Sequence, residues 1–272
     1  MDEAGTSRVT TLDFARRKEA GEPIVMVTAY DALFASLVDA AGVDAILVGD
    51  SVATVLAGEE TTLSATVDQM IYHGRIVQRG AKRALVVVDM PFLSYQVSPA
   101  EAVRNAGRIL KETGAGAVKL EGGAAVAPAV EALVTAGIPV MGHVGFTPQA
   151  VHQVGHKGPQ GQGEGAYQKL IRDVKALQNA GAFAIVLAMV PAVIAQRVTA
   201  ATSIPTIGIG SGRRCDGQVL ILHDLLGLNE AADARYLKRY ADMAAEVREA
   251  VSSYADEVRK GVYPGPEHVL KV

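Results

Sequence analysis

The sequence carries a single cysteine, Cys215, among its 272 residues. One thiol excludes an intrachain disulfide and any zinc site built on several thiolates, and Cys215 reads as a small packing residue. Long hydrophobic runs are missing too. No segment offers the ~18 uninterrupted apolar residues that suggest a membrane helix. The start, with Asp2 and Glu3, lacks the basic-then-apolar pattern of a secretory leader. A cytoplasmic location is therefore expected. Lysine and arginine form no block, and the formal net charge is −3. The electrostatic footprint of a nucleic-acid or membrane-surface binder is thus absent, and neither partner is expected.

What the sequence does contain is apolar surface in short, regular portions. With 49% apolar and 20% charged residues, the chain can bury one large core, and α/β barrels commonly reach this length as one domain. Eight runs rich in Val and Ile, namely IVMVTAY, AILVGD, ALVVVDM, AVKLEG, IPVMGHVG, AFAIVLAMV, PTIGIGSG and QVLILHD, are each too short for a typical helix. Bounded by Gly or Pro, they fit strands buried on both faces. Several follow a helical stretch that stops at a glycine: Gly42, Gly80, Gly114, Gly137 and Gly181. A repeat of helix, glycine and strand implies right-handed crossovers and a parallel sheet, open or closed. Eight strands in a domain of this size favour the closed (β/α)8 barrel. Residues 1–272 read as one such domain, with closing helices from about Asn229 to Arg259.

Barrels of this kind place their active sites at the C-terminal mouth of the strands. The strand ends here are polar: Thr28, Tyr30 and Asp31; Asp50 and Ser51; Asp89; Lys119 and Glu121; His143; and His223 with Asp224. Any one Asp, Ser or Thr after a strand can be a plain helix cap. The group is harder to explain that way. Asp50, Asp89 and Glu121 come from consecutive strands, so folding brings three carboxylates to one side of the mouth, where repulsion is costly without a cation. Oxygen ligands without thiolates or paired histidines suit Mg2+ rather than zinc. Lys119 and Glu121, two apart on one strand, point to the same face, so a cationic side chain beside the metal site suits an anionic substrate.

Other polar features are weaker. His143 interrupts an otherwise apolar strand and reads either as a satisfied core histidine or, from its place at the mouth, as functional. His73, His152 and His156 read as structural or solvent-facing. The stretch GHKGPQGQGEG, residues 155–165, is long enough for a lid. IGIGSG, residues 207–212, is compatible with phosphate binding by backbone amides or simply with close backbone approach.

The segments TAYD, LVGDS, DMPF, VKLEGG, GHVGFTPQ, IGIGSG, CDGQVL with LHDLLG, and GVYPGPEH occur in this order from Leu12 to His268. In them the chain resembles the ketopantoate hydroxymethyltransferases. The resemblance implies a (β/α)8 barrel assembled as a homo-oligomer, commonly a decamer, that acts at the start of pantothenate biosynthesis. It also implies a transferase moving a one-carbon unit from 5,10-methylenetetrahydrofolate to 3-methyl-2-oxobutanoate with Mg2+. Asp50, Asp89 and Glu121 then match metal ligands, partly through water; Ser51 and Lys119 match residues that hold the keto acid; and His143 matches a histidine at the same mouth.

One position departs from the pattern. The family's general base is a glutamate at the end of strand six, as in VLEMVP, whereas this chain reads VLAMVP with Ala188 at that site. No Asp or Glu lies between Asp173 and Cys215 to replace it. Metal and keto-acid binding are expected to survive and turnover to fall, with His143 or a metal-bound water as substitutes. Two rivals stand beside this: a keto-acid-binding barrel without catalysis, and a Mg-dependent lyase or mutase of the isocitrate lyase and phosphoenolpyruvate mutase group. The catalytic-loop cysteine of the latter group has no match at Cys215.

Overall fold

The computed structural model describes residues 7–154 and 163–270. The chain divides into two compact units, Met1–Ile221 and Leu222–Val272. Eight strands lie in the first: β1 (Ile24–Thr28), β2 (Ala45–Val48), β3 (Leu85–Asp89), β4 (Ala117–Glu121), β5 (Val140–Gly145), β6 (Ala184–Ala188), β7 (Thr206–Ile209) and β8 (Gly217–Leu220). Each pairs in parallel with the next, and β8 returns to β1, which closes the barrel. The expected (β/α)8 fold is therefore the observed one.

Helices alternate with the strands: α1 (Thr11–Ala20), α2 (Ala32–Ala40), the short α3 (Val52–Val55), α4 (Val67–Gly80), α5 (Pro99–Thr113), α6 (Ala127–Thr135), the single turn α7 (Val151–Val154), α8 (Glu164–Asn179) and α9 (Ala192–Ala201). Local chemistry sets their limits. Thr66 and Gln69 form a reciprocal capping box at the start of α4, and Ser98 accepts from the Glu101 amide ahead of Pro99 in α5. Past α5, Gly114 adopts φ +77°, the left-handed conformation that stops a helix.

Gly80 ends α4 for a different reason than expected. It has no positive φ among the described residues. Instead, a Cβ there would lie 2.3 Å from the Ala32 carbonyl oxygen and 2.8 Å from Ala35 Cβ. The absent side chain lets α4 pack closely on α2.

The barrel interior is layered by the two-residue period of the strands. Met26, Leu47, Val87, Ala117, Met141, Val186, Ile207 and Val219 form one apolar cluster, joined by Val9 and Phe14 from the N-terminal segment and α1. Val9 N donates to the Arg83 carbonyl just before β3, so this plug closes the N-terminal end. Two residues further along the same inward faces lie Gly49, Asp89, Lys119, His143 and Ala188. The fold thus converts a sequence period into a ring of mouth residues resting on a dry core.

The second unit contains α10 (Leu222–Leu225) and α11 (Met243–Arg259). Helix was expected from about Asn229, but residues 229–242 are turns and irregular chain. Their backbone bonds go elsewhere: Ala232 N to Asn229 O, Leu237 N to Ala234 O, and Tyr240 N to Leu225 O. Arg239 takes the Glu230 and Ala232 carbonyls that a helix would need. Helix-forming composition is overridden by these local and tertiary bonds. Residues 155–162 of the glycine-rich lid candidate lie outside the described residues.

Candidate active site

Asp50, Asp89, Lys119, Glu121 and His143 are all buried, and the barrel brings them into one bonded cluster. Adjacent register pairs place Asp89 beside Lys119 and Glu121 beside His143. Lys119 Nζ lies 2.7 Å from Asp89 Oδ1, which makes no hydrogen bond of regular geometry. Asp89 Oδ2 accepts from the Asp50 amide at 3.0 Å. His143 Nε2 is 2.9 Å from the Phe146 carbonyl. A carbonyl can only accept, so this nitrogen carries a proton. Nδ1 then faces Glu121 Oε1 at 3.3 Å and Lys119 Nζ at 3.4 Å.

Ser51 joins from the loop after β2. Its hydroxyl lies 2.7 Å from the Tyr30 hydroxyl, and His73 Nδ1 holds the Tyr30 carbonyl at 2.8 Å. Gly49 makes this packing possible, because a Cβ there would come within 2.7 Å of Ser51 Oγ. Burial pushes the Tyr30 phenol up to about 12, so it remains a neutral donor.

Electrostatics separate the carboxylates. Burial, then the charges of Asp89 and Glu121, push Asp50 well above the usual carboxylate range. For Glu121 burial also acts upward, but His143, Lys119 and the Gln149 amide outweigh it and leave the group lowered. Lys119 is raised, since Asp89, Glu121 and Asp50 overcome the opposing effect of burial. The ammonium is therefore firmly charged, and Asp50 is the carboxylate most in need of a counterion.

The remaining strand-end residues divide. Asp31 is a helix cap, accepting from Phe34 N at 2.8 Å. His223 and Asp224 fall on α10 in the second unit, where Asp224 accepts from Asn229; β8 ends earlier than its apolar run suggested. In IGIGSG, the buried Ser211 donates to the Leu187 carbonyl at 2.7 Å and accepts from Val190 N at 3.0 Å. A Cβ at Gly212 would meet Ala192, so these residues brace the end of β6 and pack against their own chain. Among the described residues, no group of three or more His, Cys, Asp or Glu side chains forms a ready metal cage. Glu121 is held instead by His143 and the Gln149 amide.

Ala188 closes β6 at the mouth, paired with Gly145 of β5 and Ile209 of β7. It shares the inward parity of Ala184 and Val186, so its Cβ belongs to the ring, and it is 4% exposed.

Two residues that the sequence did not single out complete the cluster. Gln149 is buried between Asp50 and Glu121, and the Tyr95 hydroxyl lies 3.0 Å from the Glu121 amide and 2.7 Å from Gln149 Oε1. Beside them is a cavity of about 390 Å3 lined by Leu63, Phe92, Tyr95, Glu121 and Gln149 among others; exposed His152 also borders it.

Residues 8–266 match the family described as Ketopantoate hydroxymethyltransferase. The chain belongs to this family. It is 54% identical over 261 residues to the 3-methyl-2-oxobutanoate hydroxymethyltransferase of Syntrophotalea carbinolica, covering 96% of this chain and 98% of that one. The namesake from Moorella thermoacetica is 53% identical over 268 residues, covering 98% and 100%. Among solved structures, a phosphonopyruvate hydrolase superposes with a TM-score of 0.63 at 12% identity, covering 98% of this chain and 92% of that one. A 2,3-dimethylmalate lyase of the PEP mutase/isocitrate lyase superfamily gives 0.59 at 14%, covering 96% and 91%. At such identities the likeness is one of fold. Ketopantoate hydroxymethyltransferases and the lyase group thus share a barrel, while sequence assigns this chain to the former.

Proposed function

We propose that this chain binds 3-methyl-2-oxobutanoate at the barrel mouth as a ketopantoate hydroxymethyltransferase, with 5,10-methylenetetrahydrofolate as one-carbon donor and 2-dehydropantoate as product. The observation that carries the site assignment is the buried cluster in which three carboxylates share one ammonium. Three buried carboxylates around the one ammonium of Lys119 leave the cluster short of positive charge, which a divalent cation would supply. The all-oxygen donor set fits Mg2+. Asp50 and Asp89 would hold it, with Glu121 acting through water. When bound, the ion would polarise the keto oxygen and stabilise the charge left when C3 loses its proton.

The protein's own groups do the rest. Lys119 faces the substrate carboxylate with a fixed positive charge, and the Ser51 and Tyr30 hydroxyls offer hydrogen bonds without charge. The cavity beside Glu121, with Leu63, Phe92 and Tyr95 on its wall, suits the pterin end of the folate. Position 188 is where a base would take the C3 proton, and an alanine accepts none. Loss of a positioned base costs on the order of 10²- to 10⁴-fold in rate. His143 is a poor substitute: its Nε2 proton is committed to Phe146, and Nδ1 is enclosed between Glu121 and Lys119. Binding therefore persists while turnover is slow. Cytoplasmic location and a homo-oligomeric assembly belong to the same proposal; no described helix is long and apolar enough to cross a membrane.

Proton exchange at C3 of 3-methyl-2-oxobutanoate in D2O with Mg2+ tests these roles. Exchange should be slow in this chain and rise by on the order of 10²-fold or more in Ala188→Glu. Equal rapid exchange in both would assign the base elsewhere. Keto-acid binding with no exchange in either would favour a binding protein, the reading to which Ala188 lends support.

A further inference from the structure

Gln149 lies on the loop between β5 and α7, 99 residues from Asp50 and 28 from Glu121 in sequence, yet it bonds to both. Its Nε2 donates to Asp50 Oδ2 at 2.9 Å and to the Met90 carbonyl at 3.0 Å. Its backbone N–H donates to Glu121 Oε2 at 3.0 Å. On the other side, Oε1 accepts from the Tyr95 hydroxyl at 2.7 Å and from Gln96 Nε2 at 3.3 Å. Two acceptors face the nitrogen, so the amide has one workable orientation, and the Tyr95 hydroxyl has one proton to share between Gln149 Oε1 and the Glu121 carbonyl at 2.9 Å. The residue is 5% exposed.

We infer that Gln149 is a positioning residue that holds the Asp50 and Glu121 carboxylates in the orientation from which they meet a divalent cation, an inference that rests on the cation site proposed above. The choice of residue matters. Asp50 and Glu121 repel each other inside the protein, and something must hold them in place before a cation arrives. A lysine there would do so by neutralising them and would compete with the ion. An amide supplies hydrogen-bond donors and no charge, so the cluster remains rigid and still short of positive charge. Tyr95 and Gln96 in turn fix the amide, which leaves Asp50 Oδ2 with a set direction. Groups that orient metal ligands in this way typically change metal affinity by about 10- to 100-fold when lost.

A plain structural staple would contribute stability alone, so the test reads ion affinity. Mn2+, a spectroscopic stand-in for Mg2+, is titrated by electron paramagnetic resonance into the full chain and into Gln149→Met, which keeps length and the backbone bond to Glu121 and loses the side-chain amide that holds Asp50. The Mn2+ Kd should weaken by about 10-fold or more, with keto-acid affinity at saturating Mn2+ little changed. A folded variant whose Mn2+ affinity equals the parent's overturns the role of Gln149, even if its Tm falls. Should the variant not fold, Mg2+ titration of the unaltered chain with labelled glutamine side chains decides: the Gln149 amide pair must shift on saturation, and an unmoved signal overturns the inference. A parent that binds no Mn2+ sinks the cation site itself, an outcome distinct from failure of Gln149 alone.

Discussion

The two ends of the barrel treat the same residue type in opposite ways. At the N-terminal end, each buried or half-buried carboxylate has its own partners. Asp44 accepts from Val25 N at 2.9 Å and pairs with Arg17 at 2.8 Å. Asp216 pairs with Lys18 at 2.8 Å and accepts from Thr206 N at 2.8 Å. Asp39 collects the amides of Lys82, Arg83 and Ala84. At the C-terminal mouth, Lys119 pairs with Asp89 at 2.7 Å and is the ammonium whose charge also reaches Asp50 and Glu121. Carboxylates that are fully partnered hold the fold together; carboxylates left short of positive charge mark the place where something else is meant to bind.

This contrast can be broken by experiment. The largest effect expected is from the cation. Mg2+ at about 100 times its Kd should stabilise the chain by about 2.7 kcal/mol, and Asp50→Asn should remove that gain, as thermal melts with and without EDTA would reveal. Proton competition sets the pH dependence. The folded Asp50 carboxyl is raised above its ordinary value of 3.8, so the folded state holds the extra proton, and cation-free stability falls as pH rises from there toward the folded value. The Mg2+-induced rise in Tm should therefore be greater at pH 8 than at pH 5. If it is equal at both, Asp50 is not the group that needs the ion.

Next in size is the partnered end. Asp44→Asn should cost about 2 kcal/mol in denaturant unfolding at pH 7, with no sensitivity to Mg2+, because it unpairs Arg17, itself partly solvent-screened. Asp50→Asn in EDTA should be neutral or stabilising, since it relieves repulsion. Matching losses in the two variants would erase the distinction between the ends.

The smallest effect is at Asp39. Burial pushes its carboxyl up, but the amides of Ala84, Lys82 and Arg83 more than reverse this and hold it below 3.8. A lowered carboxyl contributes stability above its unfolded value, and that contribution is lost as pH falls through the folded one. Asp39→Asn should thus cost about 1 kcal/mol at pH 7 and nothing in acid below both values. A penalty that persists there would trace the loss to shape instead of charge.

Much of this was written in local sequence. The strands were legible because a sheet buried on both faces needs continuous apolar runs, and Asp50, Asp89, Lys119, Glu121 and His143 were legible because strand ends have a known place in a barrel. Gln149 and Tyr95 were not. Each sits within a loop, and its partners are fixed by closure of the barrel instead of by neighbours in the chain. Residues 229–242 misled for the converse reason: Ala, Glu, Lys and Arg at helical spacing favour helix only where no tertiary bond outbids it.

The end of β6 is anchored entirely by its main chain. Phe146 N donates to the Ala188 carbonyl at 2.8 Å, Met189 N donates to Ile209 O at 2.8 Å, and Ser211 braces Leu187 and Val190. None of these bonds involves the side chain at 188. That position is consequently a socket: the bonds that hold its wall do not depend on its occupant, which on the proposed roles would make the capacity to react separable from the capacity to recognise. Under the roles proposed above, such a barrel would retain a keto acid as a captive, and the side chain at 188 would decide whether the captive is transformed.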